Sequence, residues 1–340
     1  MILARGRFAL QVAGAALALA AIVAWSFVVG RFSVAPGEVW RALWSALAGS
    51  DSGLPANVEA IVLQVRGTRV AAALAVGAAL AAAGASLQNL FRNPLVSPDI
   101  LGVTAGCALG AGVAILLALP MAGIQAVAFA GGLAAVLLVM AIGTWVGGRD
   151  PILTLILTGV VVGSLFAAGV ALVKYVADPF DELPAITFWL LGSFASALPR
   201  DLPATLLPMA AGVAVLALLR WRMDVLALPE DEARSLGVDV PKMRLVVIAA
   251  ATLVTASAVS LAGTIGWVGL VIPHAARLLV GAAFARVLPM SLLLGAAFML
   301  VVDTACRITF VNEIPPGVAT AFVGTPVFIA LLALTFRRSG

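Results

Sequence analysis

The chain has 340 residues, 63% of them hydrophobic and only 11% charged, with a mean hydropathy of +1.15. Soluble domains are about 45–50% apolar and about 25% charged, which excludes a water-soluble enzyme, a disordered chain and a coiled coil. Runs that are apolar on every side also exclude a transmembrane barrel, and a net charge of +4, thinly scattered, excludes a nucleic-acid surface, so an all-α polytopic membrane protein remains.

At roughly 20 residues per crossing plus loops, the length holds about ten spans, read as a single transmembrane domain over residues 1–340. The first span is 8–29, preceded by Arg5 and Arg7. A cleavable signal peptide is its rival, and the length of the run and the spans that follow favour a retained helix. Residues 30–69, with Pro36 and Pro55, form an extramembrane loop carrying one short helix near 37–47. Span 70–90 is broken by Arg92-Asn93-Pro94 and Pro98, because each proline removes a backbone donor and restricts its neighbour. Spans 100–119 and 124–146 follow, and the tight turn Gly147-Gly148-Arg149-Asp150-Pro151 leads into span 152–175.

Segment 176–201 is apolar only in its middle, too short to cross, and reads as an interfacial or re-entrant helix. Span 202–219 precedes the most hydrophilic stretch of the chain, 220–244. Spans 245–262, 266–281 (interrupted at Pro273), 288–302 and 317–336 complete the ten, with 303–316 as a loop. Ten crossings place both termini on one side. With that side inside, all but seven of the 20 basic residues lie inside; the exceptions are Arg31, Arg41, Arg66, Arg69, Lys174, Arg200 and Arg307. This bias predicts cytoplasmic termini. Ala83-Gly84 before Pro94 and Ala262-Gly263 before Pro273 share one spacing, which fits either an inverted repeat or coincidence in an Ala/Gly-rich chain.

The spans carry almost no charge, whereas ion-coupled carriers place Asp, Glu or His deep within theirs. Asp303 reads as a cap or salt bridge, and His274, the only histidine, as a packed one; a lone His makes no metal site. The only lysines, Lys174 and Lys242, lie in no phosphate-binding loop. No Ser/His/Asp or His-Glu-x-x-His constellation is present, and Cys107 and Cys306 have no metal or disulfide spacing. The segment Pro229-Glu230-Asp231-Glu232-Ala233-Arg234-Ser235-Leu236-Gly237 stands out. Proline suits the first helical position, the acids suit the positive helix end, and Gly237 suits a left-handed C-cap. It predicts a two-turn surface helix able to transmit force from an outside motor, or a plain solvated helix.

These residues resemble the permease subunits of binding-protein-dependent ABC importers for ferric siderophores, haem and vitamin B12 (FecCD-like, type II importers). The resemblance runs from about residue 66 to 336. It rests on Gly77 to Gly84, Gln88, Arg92-Asn93-Pro94-Leu95 with Pro98-Asp99-Ile100-Leu101-Gly102, and Trp189-Leu190-Leu191-Gly192-Ser193. Glu232 to Gly237, Gly269-Leu270-Val271-Ile272-Pro273-His274, Pro315-Pro316-Gly317-Val318 and Gly324-Thr325-Pro326-Val327-Phe328 complete it. Arg66-Gly67-Thr68-Arg69 departs from the family, which usually has Leu-Pro between two arginines.

The resemblance implies a type II importer permease of about ten helices in the inner membrane, paired with a second permease subunit as homodimer or paralogous heterodimer. A cytoplasmic ATPase dimer would supply ATP and Mg, this chain holding no cofactor and performing no catalysis, and a periplasmic binding protein would deliver cargo. Pro229 to Gly237, within 220–244, would couple to the ATPase. Arg66 and Arg307, on the periplasmic segments 30–69 and 303–316 (with 176–201 as the third), would dock the binding protein or else anchor helix ends. Asn93, Pro94, Asp150, Pro151, Ile152 and Leu153 would form the gate or pathway. The stretch 97–102 is most like the ferric-siderophore members, with haem or vitamin B12 as alternative cargo and an ion-coupled secondary carrier as a distant alternative.

Overall fold

A chain in lipid must satisfy its backbone hydrogen bonds internally, and among the described residues this one does so with helices alone. The computed structural model describes residues 2–147, 151–309 and 312–339. In order come α1 (Ile2–Val28), α2 (Pro36–Ala48) and α3 (Ala56–Ala60), which runs through a π-helical stretch (Ile61–Gly67) into α4 (Thr68–Leu90). A 3₁₀ turn (Pro98–Leu101) precedes α5 (Val103–Leu116), α6 (Met121–Val146), α7 (Pro151–Val176) and α8 (Glu182–Leu190). Then come α9 (Leu202–Leu218), α10 (Arg220–Leu226), α11 (Glu230–Ser235), α12 (Val240–Ala262), α13 (Val268–Val280), α14 (Phe284–Thr309) and α15 (Pro316–Ser339).

Among the described residues, six helices are long and apolar enough to cross a membrane, and α9 with α10 forms a further span bent by 63°. The short apolar helices α5, α13 and the apolar part of α15 occupy the other three predicted spans. Two of these are short because irregular backbone takes up part of the depth. The 3₁₀ turn lies against Gly159 of α7, and residues 263–267 lie against Trp189, Gly192 and Gly317. Non-helical backbone at depth is tolerated only when protein covers it in this way.

Small residues set the packing. Helix association in lipid relies on close van der Waals contact and weak Cα–H···O bonds, since lipid is as apolar as leucine. A Cβ on Gly84 would lie 1.9 Å from the Gly269 carbonyl oxygen, and one on Gly77 would lie 2.2 Å from that of Gly295. α4 is thereby clamped between α13 and α14, with 78% of its apolar stretch buried, against 0% for the peripheral α1. Gly106 and Gly131 bring α5 and α6 together equally closely, each Cβ position 2.3 Å from the other's carbonyl oxygen.

Two boundaries and one suggested repeat differ from what the sequence predicts. Residues 56–67 are helical and continuous with α4, so Arg66 and Arg69 sit in a 35-residue helix rather than a loop. α14 runs to Thr309, which puts Asp303 and Arg307 on a helix. The repeat of Ala-Gly and Pro is not a structural equivalence, because Gly84 lies mid-helix and Gly263 ends one at φ +70°.

Candidate functional site

The hydrophilic stretch folds as a knob at one end of the bundle. After α9, the chain turns into α10, whose Met223, Val225 and Leu226 are buried. Asp224 accepts from the Phe284 N–H (2.6 Å) and caps α14, while the Asn89 side-chain amide donates to the Met223 carbonyl (2.6 Å) and Arg92 to that of Leu228 (3.3 Å). α10 is thus bolted to the end of α4 before α11 begins.

Within α11, Glu230, Asp231 and Glu232 occupy the first turn and Arg234 the last, matching the helix dipole. Pro229 lies one place earlier than its sequence position suggested, in the extended cap conformation (φ −51°, ψ 147°). The C-terminus closes as a Schellman motif. Val238 donates to the Ala233 carbonyl (3.1 Å), Gly237 donates to that of Arg234 (2.9 Å), and Gly237 has φ +79°. The inward side is Ala233, 1% exposed, beside buried Val238. Glu230 bonds Arg234 (2.7 Å) and reaches Arg244 of α12 (3.6 Å). Asp231, Glu232, Ser235 and Leu236 remain exposed. Asp239 caps α12, and the backbone N–H and ammonium of Lys242 hold its carboxyl below the usual carboxylate range. This cap therefore persists in mild acid and is lost only as pH falls through that lowered value.

The expected gate and coupling segments meet here. A narrow crevice is walled by Leu90 and Arg92 of the first turn, Ile152 of α7, and Leu228, Glu230 and Ala233 of the knob. Asn93 braces its turn by accepting from the Leu95 N–H (2.9 Å) and donating its own N–H to Gln88 (3.1 Å). Pro94, Pro151 and Leu153 are exposed. Asp150 lies outside the described residues.

About 30 Å away along α4, the opposite end holds a buried charge network. Asp303, fully buried, pairs with Arg69 (2.8 Å) and with Arg307 one turn on (3.1 Å). Arg69 also pairs with Glu313 (2.8 Å). Arg307 further donates to Ser26 of α1 (2.8 Å) and to Thr304 (3.1 Å). Arg66, 3% exposed, donates to the carbonyls of Phe27, Val28 and Phe32. It therefore satisfies orphan acceptors at the negative end of α1. Both arginines expected to face a docking protein are turned inward, the geometry of the helix-anchoring alternative. Arg69, Ser26 and Glu313 had no assigned role in the sequence; the i,i+4 spacing of Asp303 and Arg307 was the available sign of a continuing helix.

Other stretches that carried the resemblance also pack together. Gln88 donates to the Gly269 and Leu270 carbonyls (3.2 Å each) and accepts from Arg277 (2.5 Å). Gly324 abuts Trp267, and the Phe328 ring stands edge-on to both Trp267 and His274, centroids 6.3 Å apart in each pair. Among the described residues no three His, Cys, Asp or Glu side chains gather as a metal site requires.

The pattern of the FecCD transport family matches residues 17–334. The chain belongs to the FecCD transport family. It is 37% identical over 96% of both chains to the molybdate import system permease protein MolB of Haemophilus influenzae. It is 41% identical over 88% of this chain and 80% of the other to the cobalamin import system permease protein BtuC of Halobacterium salinarum. A solved structure described as an inward-facing conformation of a metal-chelate type ABC transporter superposes with a TM-score of 0.85 at 36% identity, covering 95% of this chain and 98% of that one. The fold is that of a type II ABC importer permease. FecCD permeases are membrane transport components rather than enzymes, and ATP hydrolysis belongs to the partner ATPases.

Proposed function

We propose that this permease lies in the inner membrane with both termini and the α11 knob in the cytoplasm, and that it moves an iron(III)–siderophore complex inward. The supporting observation is the knob itself. A rigid acidic helix is fixed to the bundle through buried Ala233, the Glu230–Arg244 pair and the Schellman turn, yet it offers Asp231, Glu232 and Leu236 outward. Such a piece transmits displacement instead of absorbing it. The crevice beneath it touches the turn after α4 and the start of α7, so a push on α11 reaches the segments proposed as the gate.

The termini follow from helix direction. Gln11 donates to Leu279, near the knob end, while Ser26 meets Thr304 at the other, so α1 starts on the knob side. α15 runs alongside α13, from Gly324 against Trp267 to Phe328 against His274, back toward that side. The positive-inside bias supports reading that side as cytoplasmic. Partners on this reading are a cytoplasmic ATPase dimer, a second permease subunit, homodimeric or paralogous, and a periplasmic binding protein.

The cargo reading rests on the 97–102 stretch and on the metal-chelate type of the superposed transporter. Cobalamin or haem carried by the same machinery is the alternative. The test is uptake into proteoliposomes holding the permease with its ATPase. Labelled ferric siderophore accumulating only with ATP and a loaded binding protein supports the proposal. Uptake without the ATPase overturns the ATP-driven reading, and exclusive uptake of cobalamin or haem overturns the cargo reading.

A further inference from the structure

One carboxylate in the apolar belt has no cationic partner. Asp99 sits in the 3₁₀ turn before α5, exposed to an open groove of about 490 Å³ whose other walls include Thr104, Gly159, Gly163, Ser164 and Thr264. Its depth can be read from α7. That helix starts at the knob end, where Ile152 lines the crevice, and its 26 residues rise about 39 Å. Gly159 to Ser164 lie about 12–20 Å along it, so Asp99 lies near mid-membrane.

The Asp99 oxygens accept hydroxyls from Ser97 (3.4 Å) and Thr104, both beside it in sequence. Among the described residues no lysine or arginine pairs with it. Elsewhere this protein neutralises buried charge closely, as in the Asp303–Arg69–Arg307 network. An unpaired carboxylate facing acyl chains at mid-depth is costly, and such residues face water-filled cavities instead. The groove wall is also unusually close and small-sided, since a Cβ at Gly159 would stand 2.1 Å from the Ile100 carbonyl oxygen.

We propose that the α5–α7 groove is a water-filled wall of the translocation path and that Asp99 is its specificity-determining charge, favouring passage of cargo with net positive charge or outward hydroxyl and amine donors and disfavouring oxyanions. This rests on the permease reading and deepens it: Asp99 screens by charge what the binding protein delivers. A purely structural role is the alternative, with the side chain fixing the turn through Ser97 and Thr104. Asp99→Asn separates the two, since it removes the charge while the amide keeps an acceptor oxygen for Thr104 and loses only acceptance of the long 3.4 Å Ser97 contact.

The test needs no transport, so its failure is distinct from failure of the importer reading. A cysteine is placed at Ser164 in the reconstituted permease–ATPase complex and labelled with a cationic trimethylammonium-ethyl or an anionic sulfonatoethyl methanethiosulfonate. The native chain serves as blank because Cys107 and Cys306 are buried. The cationic reagent is expected to react faster, and Asp99→Asn is expected to lower the cation-to-anion rate ratio by roughly tenfold, the scale of removing a unit charge that lines the same groove. A ratio unchanged by Asp99→Asn, in protein that elutes as the native complex, overturns the charge role. No reaction at Ser164→Cys with either reagent overturns the aqueous groove.

Discussion

Asp303 is the buried centre of an ionic network with Arg69 and Arg307. Two arginines approach it inside the bundle, and each was brought there by a helix longer than its hydropathy indicated. Removing one member of such a network strands the others, a cost of about 3–5 kcal/mol. Asp303→Ala is therefore expected to lower the thermal unfolding midpoint of the detergent-solubilised protein far more than a surface change such as Asp51→Ala. Equal midpoints would show that the network does not form. Arg66 belongs to the same argument. Because its guanidinium is spent on the Phe27, Val28 and Phe32 carbonyls, Arg66→Ala is expected to destabilise the fold and to leave the salt dependence of binding-protein capture unchanged. A changed salt dependence with an intact midpoint would instead restore the docking role. The family-like sequence drew attention to Arg66 and Arg307, but residue types alone do not tell an arginine that greets a partner from one that caps a helix. That choice depends on whether residues 56–67 are helical, and the apolar pattern, broken by Gln64 and Arg66, pointed to a loop where the structure has a helix.

At the scale of elements, glycine placement decides which helices touch. Gly84→Ala puts a methyl where the Gly269 carbonyl oxygen already lies, 1.9 Å away, and both atoms belong to stiff, buried backbone. It is expected to abolish stable expression or to lower the midpoint sharply, whereas Gly37→Ala, with nothing within 4 Å, is expected to be silent. Similar behaviour of the two would mean that α4 and α13 do not pack this closely. The α11 knob was the most legible element in the sequence, because its start and stop signals are local: three acids in the first turn and a glycine where φ must be positive. The short helices α5 and α13 were harder to delimit. Their lengths are set by irregular segments that only neighbouring helices can cover, and such coverage leaves no local mark. For the knob, Gly237→Ala forces a Cβ into the left-handed region at roughly 1–2 kcal/mol, which loosens the Schellman closure. The expected outcome is ATP hydrolysis that continues while uptake falls. Uptake and hydrolysis both at native levels would count against a stiff connection.

Across the whole molecule, a stiff acidic helix lies at one end, a buried ionic clasp at the other, and α4 joins them as a rod packed against α12, α13 and α14. On the proposed function, ATP-driven work enters through the knob. Sidedness is the decisive property. A cysteine at Asp231, which is exposed, is expected to react with an impermeant maleimide in inverted vesicles and to be protected in intact spheroplasts. The bound ATPase is expected to shield it further. Charge reversal at Glu232 is expected to weaken ATPase capture without changing the unfolding midpoint, because that side chain is exposed and has no intramolecular pair among the described residues. Labelling of Asp231→Cys from the outer face would invert the molecule. The basic bias would then contradict the topology, and the α11 knob would lie beyond the reach of any cytoplasmic motor.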